Sequence, residues 1–73
     1  MKSVILFHSN NYTIWAKSEL KKNSIKGKMI SVPRNLSSNC GYCLEINSDD
    51  ENKAEKILNQ KNIEFDKIKK LEN

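Results

Sequence analysis

The chain has 73 residues, a formal net charge of +4 and 30% charged residues. This length predicts one domain spanning residues 1–73, with a thin core, because so small a chain buries only about 60% of the surface that its unfolded form exposes. No apolar run approaches the roughly 18 residues of a membrane helix, and the first residues do not have the form of a secretory signal. We therefore expect a cytoplasmic protein with no membrane partner.

The first part of the chain predicts a strand followed by a helix. Four adjacent apolar residues within Ser3–His8 favour a short strand buried on both faces. Side chains able to cap the following helix, which should end near Lys22, are those of Ser9, Asn10 and Asn11. Helical spacing predicts that its buried stripe consists of Tyr12, Trp15, Ala16 and Leu20.

Two further strands are predicted on either side of a loop. Residues 28–32 form the second strand, with Ile30 and Val32 on one face, and Pro33 ends it because proline cannot donate to a ladder. The loop runs to about Gly41. In the third strand, side chains alternate between an apolar face and a mixed face. The apolar face carries Tyr42, Leu44 and Ile46, and the mixed face carries Cys43 and Glu45.

The last part of the chain predicts a helix and a strand. Ser48 and Glu51 match the S-x-x-E capping box, so we expect a helix over residues 49–61 with Ala54, Ile57 and Leu58 buried. A fourth strand should begin at Ile63 and Phe65 and continue through Ile68 and Leu71. Residues 72–73 should fray.

The order strand, helix, strand, strand, helix, strand predicts a ferredoxin-like α+β fold. In this βαββαβ plan, two helices lie on one face of a four-stranded antiparallel sheet. The first strand is apolar on both sides, although the other sheet face has no helix to cover it. We therefore expect the free face or an edge strand to support a homodimer.

Residues 32–43 contain the only proline, the only arginine and both cysteines of the chain. Functional residues of small proteins are often concentrated in one loop. In the cytoplasm, cysteines are more often catalytic, redox-active or metal-binding than paired in structural disulfides. We therefore interpret Cys40 as a reactive thiol and Cys43 as its potential partner.

The residues around Cys40 suit a thiolate. A free cysteine has a pKa of about 8.5, so a reactive one needs positive potential nearby, and Arg34 is the nearest fixed charge in sequence. The hydroxyls of Ser37 and Ser38, with the backbone amides near Gly41, are hydrogen-bond donors for a thiolate or a bound persulfide. Glycine also permits close backbone approach and a positive φ.

Three roles remain open for Cys43. A disulfide needs Cα atoms about 4.4–6.8 Å apart, whereas three extended residues span about 10 Å, so Cys40 and Cys43 can bond only if the chain turns at Gly41 and Tyr42. Cys43 is therefore a packing residue, a resolving thiol or a metal ligand. Because structural zinc takes four ligands, one chain with two cysteines and His8 should hold no metal, but a dimer pooling both pairs could.

Positive charge precedes the loop. Residues 17–34 carry five lysines and Arg34 against Glu19 alone. Such a segment either attracts an anionic ligand or an acidic partner, or is simply a solvated helix face. No strand carries the paired aromatic residues with which four-stranded sheets bind RNA, so we expect no nucleic-acid partner.

Three segments resemble a known family. Phe7-His8-Ser9, Val32-Pro33-Arg34 and Ser37-Ser38-Asn39-Cys40-Gly41 resemble the selenium/sulfur carrier-like family of small bacterial proteins, and the resemblance covers nearly the whole chain. It implies that Cys40 is the attachment point of sulfur or selenium. It also implies a donor protein, such as a cysteine desulfurase, and an acceptor protein.

Three hypotheses of function follow. The first is a carrier that holds a persulfide or selenosulfide on Cys40. The second is a dithiol redox protein or metal-binding dimer that uses Cys40 and Cys43. The third is a non-catalytic interaction or regulatory module. Because the sequence contains no acid–base pair, phosphate loop or cofactor fingerprint, we expect a carrier without a resident cofactor rather than an enzyme.

Overall fold

The computed structural model describes residues 1–33, 36 and 41–71. In this part of the chain, the strands and helices are β1 (Lys2–Leu6), α1 (Asn10–Lys22), β2 (Lys28–Ser31), β3 (Tyr42–Asn47), α2 (Glu51–Gln60) and β4 (Lys67–Lys70). The four strands form one sheet in the order β2-β3-β1-β4, and every neighbouring pair is antiparallel. The predicted α+β, ferredoxin-like arrangement is confirmed.

The main core lies between the helices and one face of the sheet. Alternation along β1 and β3 directs Ile5, Leu44 and Ile46 towards the helices. The helices contribute residues at helical spacing, as predicted, and these are Ala16, Leu20, Ala54, Ile57 and Leu58. Neither helix in the described ranges combines the length and apolarity needed to cross a membrane.

Trp15 was predicted in this core, and that prediction is wrong. The Trp15 side chain is 43% exposed, whereas Thr13 is fully buried. The inward direction of α1 follows Thr13, Ala16 and Leu20, so Trp15 falls at the edge of the stripe. There it stacks on Tyr12, with ring centroids 6.4 Å apart.

Both helices end in Schellman motifs, in which residues other than glycine take the left-handed conformation. Ser24 has a φ of 65° and Asn62 a φ of 57°. The N–H of Ile63 donates to the carbonyl of Leu58 at 2.9 Å, and Ile25 does the same to Leu20. An apolar residue at this position normally packs against the last turn. Ile63 is therefore buried as part of a helix end, and the prediction that β4 begins there is wrong.

The start of the second helical segment also differs from its prediction. A 3₁₀ turn (Ser48–Asp50) precedes α2, and the side chain of Asn47, not Ser48, accepts the capping hydrogen bond, from Asp49 N–H at 3.0 Å. The Glu51 carboxylate accepts a hydrogen bond from the buried Ser3 hydroxyl instead of completing a capping box. The sequence matches the capping-box motif, but the capping box does not form, because Glu51 binds Ser3 of β1 instead.

This arrangement predicts which residue caps the segment. Asn47→Ala should lower the free energy of unfolding by about 1 kcal/mol, because it leaves a backbone N–H without its side-chain acceptor. Ser48→Ala should change it by less than about 0.5 kcal/mol. Urea denaturation of the two variants measures both values. A larger loss for Ser48→Ala would contradict the assignment.

The sheet face away from the helices carries a second apolar layer, which we call the outer apolar layer. Val4, Leu6 and Cys43 have no exposed surface, and the side chains packed against them are those of Ile30, Val32, Leu36 and Leu71. Ile30 and Val32 share this face, as predicted. Since the chain covers the centre of the layer itself, this face gives no independent reason for a dimer, and the homodimer stays a prediction.

Candidate functional site

The cysteine-containing loop is closed at its base by a backbone hydrogen bond between Val32 and Gly41, and we call this base the neck of the loop. The N–H of Val32 donates to the carbonyl of Gly41 at 3.1 Å, one step beyond the Ser31–Tyr42 pair of β2 and β3. Inside the loop, the N–H of Leu36 donates to the carbonyl of Pro33 at 3.0 Å. Leu36 also packs on the outer apolar layer. A backbone hydrogen bond therefore closes the neck of the loop, and the Leu36 side chain attaches the loop to the outer apolar layer.

Two other connections reach the same edge of the sheet. Leu6, the last residue of β1, pairs with Cys43 near the start of β3, so the β1–α1 connection at His8 leaves the sheet beside the neck. The N–H of Asp66 donates to the carbonyl of Leu6 at 2.6 Å, which brings the entry to β4 to this edge as well. The topology thus gathers three distant sequence segments at one end of the molecule.

Helix α1 begins at this edge. The Ser9 side chain accepts a hydrogen bond from Tyr12 N–H at 3.4 Å, and the first turn contains no acidic residue. Partial positive charge at a helix N-terminus favours nearby anions. The N-terminus of α1 therefore brings partial positive charge to the end of the molecule from which the loop emerges, where the carboxylates of Glu64 and Asp66 also lie.

A cavity of about 660 Å³ lies at the same end. It is bounded by His8, Leu58, Asn59, Asn62, Ile63, Glu64, Phe65 and Asp66. Sequence reasoning singled out His8 but not its neighbours, because they lie 50 or more positions away along the chain. Across the described ranges, no group of three or more His, Cys, Asp or Glu side chains is placed to hold a metal ion.

Four of the predicted site residues, Arg34, Ser37, Ser38 and Cys40, lie outside the described residues. Gly41 is described and exposed, and its φ is not positive, so the conformational freedom that glycine permits is not used at this position. A Cβ built at Gly41 would meet no described atom within 4 Å.

Cys43 lies inside the sheet. It pairs with Leu6 on one side and Ile30 on the other, and its side chain is fully buried in the outer apolar layer. The predicted alternation, with Cys43 facing away from Leu44, is correct. Because the Cys43 side chain is fully buried, its sulfur is not accessible to another protein. Thiol exchange between proteins requires an exposed thiol. Its role as a second reacting thiol stays a prediction.

Comparison with known families supplies the decisive observation. Residues 2–70 match the family described as Putative Se/S carrier protein-like. The chain belongs to this family. The match includes every strand and helix described above, as well as the loop, so the predicted resemblance is confirmed. No curated protein and no solved structure matched the chain.

Proposed function

We propose that this member of the Se/S carrier family holds sulfur or selenium on Cys40 and passes it to a partner protein. The family match over residues 2–70 carries the proposal. The position of the neck supports it, since Gly41, covalently next to Cys40, is exposed. Access of that kind is needed because sulfur transfer brings two protein sulfurs into contact.

The transfer requires no external oxidant. The Cys40 thiolate attacks the outer sulfur of a donor persulfide, so a new S–S bond forms on Cys40 as the donor's S–S bond breaks. The donor cysteine leaves as a thiolate, and Cys40 now bears the persulfide. An acceptor thiolate then attacks the same outer sulfur, and Cys40 leaves as a thiolate. One sulfur atom moves at each step, and the carrier returns to its starting state.

The proposal needs positive charge near Cys40 to favour its thiolate and persulfide anions. The N-terminus of α1 brings partial positive charge to the loop end of the sheet, where Glu64 and Asp66 add two carboxylates. Arg34 adds a full charge close in sequence, and Ser37, Ser38 and the amide of Gly41 are hydrogen-bond donors for a thiolate or persulfide. The three groups act together by stabilising negative charge on sulfur.

The partners follow from this chemistry. The donor is a protein that generates a persulfide from cysteine, such as a cysteine desulfurase, and the acceptor is a protein with a nucleophilic thiol. The carrier itself completes no reaction without them, so it acts as a carrier and not as an enzyme. Because this exchange needs reduced thiols, we expect it to take place in the cytoplasm, where thiols are kept reduced.

Intact mass spectrometry after incubation with a cysteine desulfurase and cysteine tests the proposal. We expect a mass gain of one sulfur atom, which dithiothreitol removes. When selenocysteine replaces cysteine as the substrate of the desulfurase, we expect the mass gain of one selenium atom instead. A protein that stays unmodified while the desulfurase turns over would contradict the carrier function.

Arg34→Ala should slow the alkylation of Cys40 by iodoacetamide near neutral pH. Removal of the guanidinium raises the pKa of the thiol, and less of it is then thiolate. The matched control is Lys22→Ala, which removes the same charge from a lysine paired with Glu19 on α1. The pH dependence of the alkylation rate gives the pKa of each variant. Equal values in both would show that Arg34 does not activate the thiol.

A further inference from the structure

Strand β2 forms one edge of the sheet, because it stands first in the strand order and pairs only with β3. The N–H of Val32 donates to the carbonyl of Gly41 across this pair, so the backbone of Ile30, two residues earlier, also faces β3. The N–H and C=O groups of Met29 and Ser31 therefore face away from the sheet. Within the described ranges, no backbone hydrogen bond joins this outer side of β2 to another segment. These groups are placed to pair with a further strand.

The opposite edge of the sheet, β4, is protected from such pairing. Three of its four residues are lysines, which natural edge strands use to prevent the addition of another strand. β2 contains one lysine, and the outer apolar layer reaches this edge through the half-buried side chains of Ile30 and Val32. An added strand would cover their exposed parts. Both the backbone and the side chains of β2 therefore suit strand addition.

The charge around β2 indicates the charge of the added strand. Residues 17–33 carry five lysines against Glu19 alone, and Glu19 lies 3.3 Å from Lys22. Lys28, the only charged residue of β2, pairs with Glu45 of β3, which balances one more charge. Because α1 packs against β2, the remaining lysines give this side of the molecule positive charge. A second copy of the chain would bring like charges together, whereas an acidic segment is attracted.

We propose that β2 binds an extended acidic segment of a partner protein as an additional strand of the sheet. The main chain of the segment bonds to Met29 and Ser31. Alternation places its apolar side chains beside Ile30 and Val32, and its acidic side chains on the opposite face, where α1 lies. β2 runs directly into the neck of the loop, so the bound segment passes beside the neck. Use of this surface to dock a sulfur donor or acceptor rests on the proposed function, but binding of the segment does not.

Amide hydrogen exchange of the ¹⁵N-labelled protein tests the proposal, with a short peptide in which valine alternates with glutamate. In the free protein, the amide of Ile30 should exchange slowly because it bonds to β3, whereas those of Met29 and Ser31 should exchange fast. Saturating peptide should slow Met29 and Ser31 about fivefold, the effect of one hydrogen bond, and leave Ile30 unchanged. The matched peptide with N-methylated backbone amides keeps the same side chains and should slow none of them.

Ser31→Pro blocks the edge without breaking a hydrogen bond to β3, because the N–H of Ser31 faces outwards. It should weaken binding of the fluorescently labelled peptide about fivefold, since it removes one donor. Lys70→Pro is the matched control at the other edge. The N–H of Leu71 donates to Lys2, so the N–H of Lys70 faces away from the sheet as well. This change removes a donor and a charge from β4 and should weaken binding less than about twofold.

Several outcomes would overturn the proposal. These are equal slowing of Ile30 and Ser31, slowing by the N-methylated peptide, and equal affinity of the two proline variants. Equal binding of a peptide with lysine in place of glutamate would overturn the acidic character of the partner. Protection of Met29 and Ser31 that rises with protein concentration, without peptide, would show that a second copy occupies the edge.

The exchange measurement uses the wild-type chain, so it stands even where a proline variant does not fold. Peptide binding is measured equally well in Cys40→Ser, and sulfur loading is measured without peptide. Failure of strand addition is therefore distinguishable from failure of the proposed sulfur transfer.

Discussion

Cys40→Ser should abolish sulfur loading by a cysteine desulfurase, whereas Cys43→Ser should still be loaded. Only a thiolate can displace the donor cysteine from its persulfide, and a serine hydroxyl is not ionised at neutral pH. Cys43 is fully buried between Leu6 and Ile30, so a donor persulfide has no access to it in the folded protein. Intact mass of each variant, followed by peptide mapping of the adduct, measures the result.

Stability must be separated from chemistry in this experiment. Cys43→Ser places a hydroxyl in an apolar layer and should cost about 1–3 kcal/mol. Cys43→Ala removes the sulfur without burying a polar group, so it serves as the second variant. Both should be loaded wherever they are folded, as judged by circular dichroism. A sulfur adduct that persists in Cys40→Ser, or one that disappears in a folded Cys43→Ala, would contradict the assignment of Cys40 as the carrier residue.

The spacing of apolar residues and the order of the predicted strands and helices were enough to predict most of the fold. The alternation through β3 gave the correct faces for Cys43 and Leu44, and the helical stripe gave Ala16 and Leu20. The errors fall where tertiary contacts decide between similar local options. Glu51 matches a capping box by spacing, yet its carboxylate binds Ser3, a residue 48 positions away along the chain.

The candidate site was predictable in part. Its loop was chosen from the residue types gathered in it, and the roles of those residues stay a prediction. Two features could not be predicted without the fold: the hydrogen bond between Val32 and Gly41 that closes the loop, and the cavity that brings His8 close to Asp66. Each brings together groups whose proximity depends on strand pairing or helix direction, which composition does not encode.

Leu6→Ala should lower the free energy of unfolding by about 2–5 kcal/mol, the second large effect that we expect. Leu6 has no exposed surface and packs with Val4 and Cys43 on the sheet face that has no helices. A domain of this size is stabilised by only about 4–11 kcal/mol in total. Ile14→Ala is the control, because Ile14 is 56% exposed on α1, and it should change stability by less than about 0.5 kcal/mol.

The concentration dependence of this unfolding tests what covers the outer face. If the chain's own Leu36 and Leu71 complete the layer, urea midpoints of wild type and Leu6→Ala will not change with protein concentration. If a second copy completed it, unfolding would be coupled to dissociation, and both midpoints would rise with concentration. We expect the first result, because Val4, Leu6 and Cys43 are fully buried within one chain. A homodimer would then have to form through another surface, such as an edge strand.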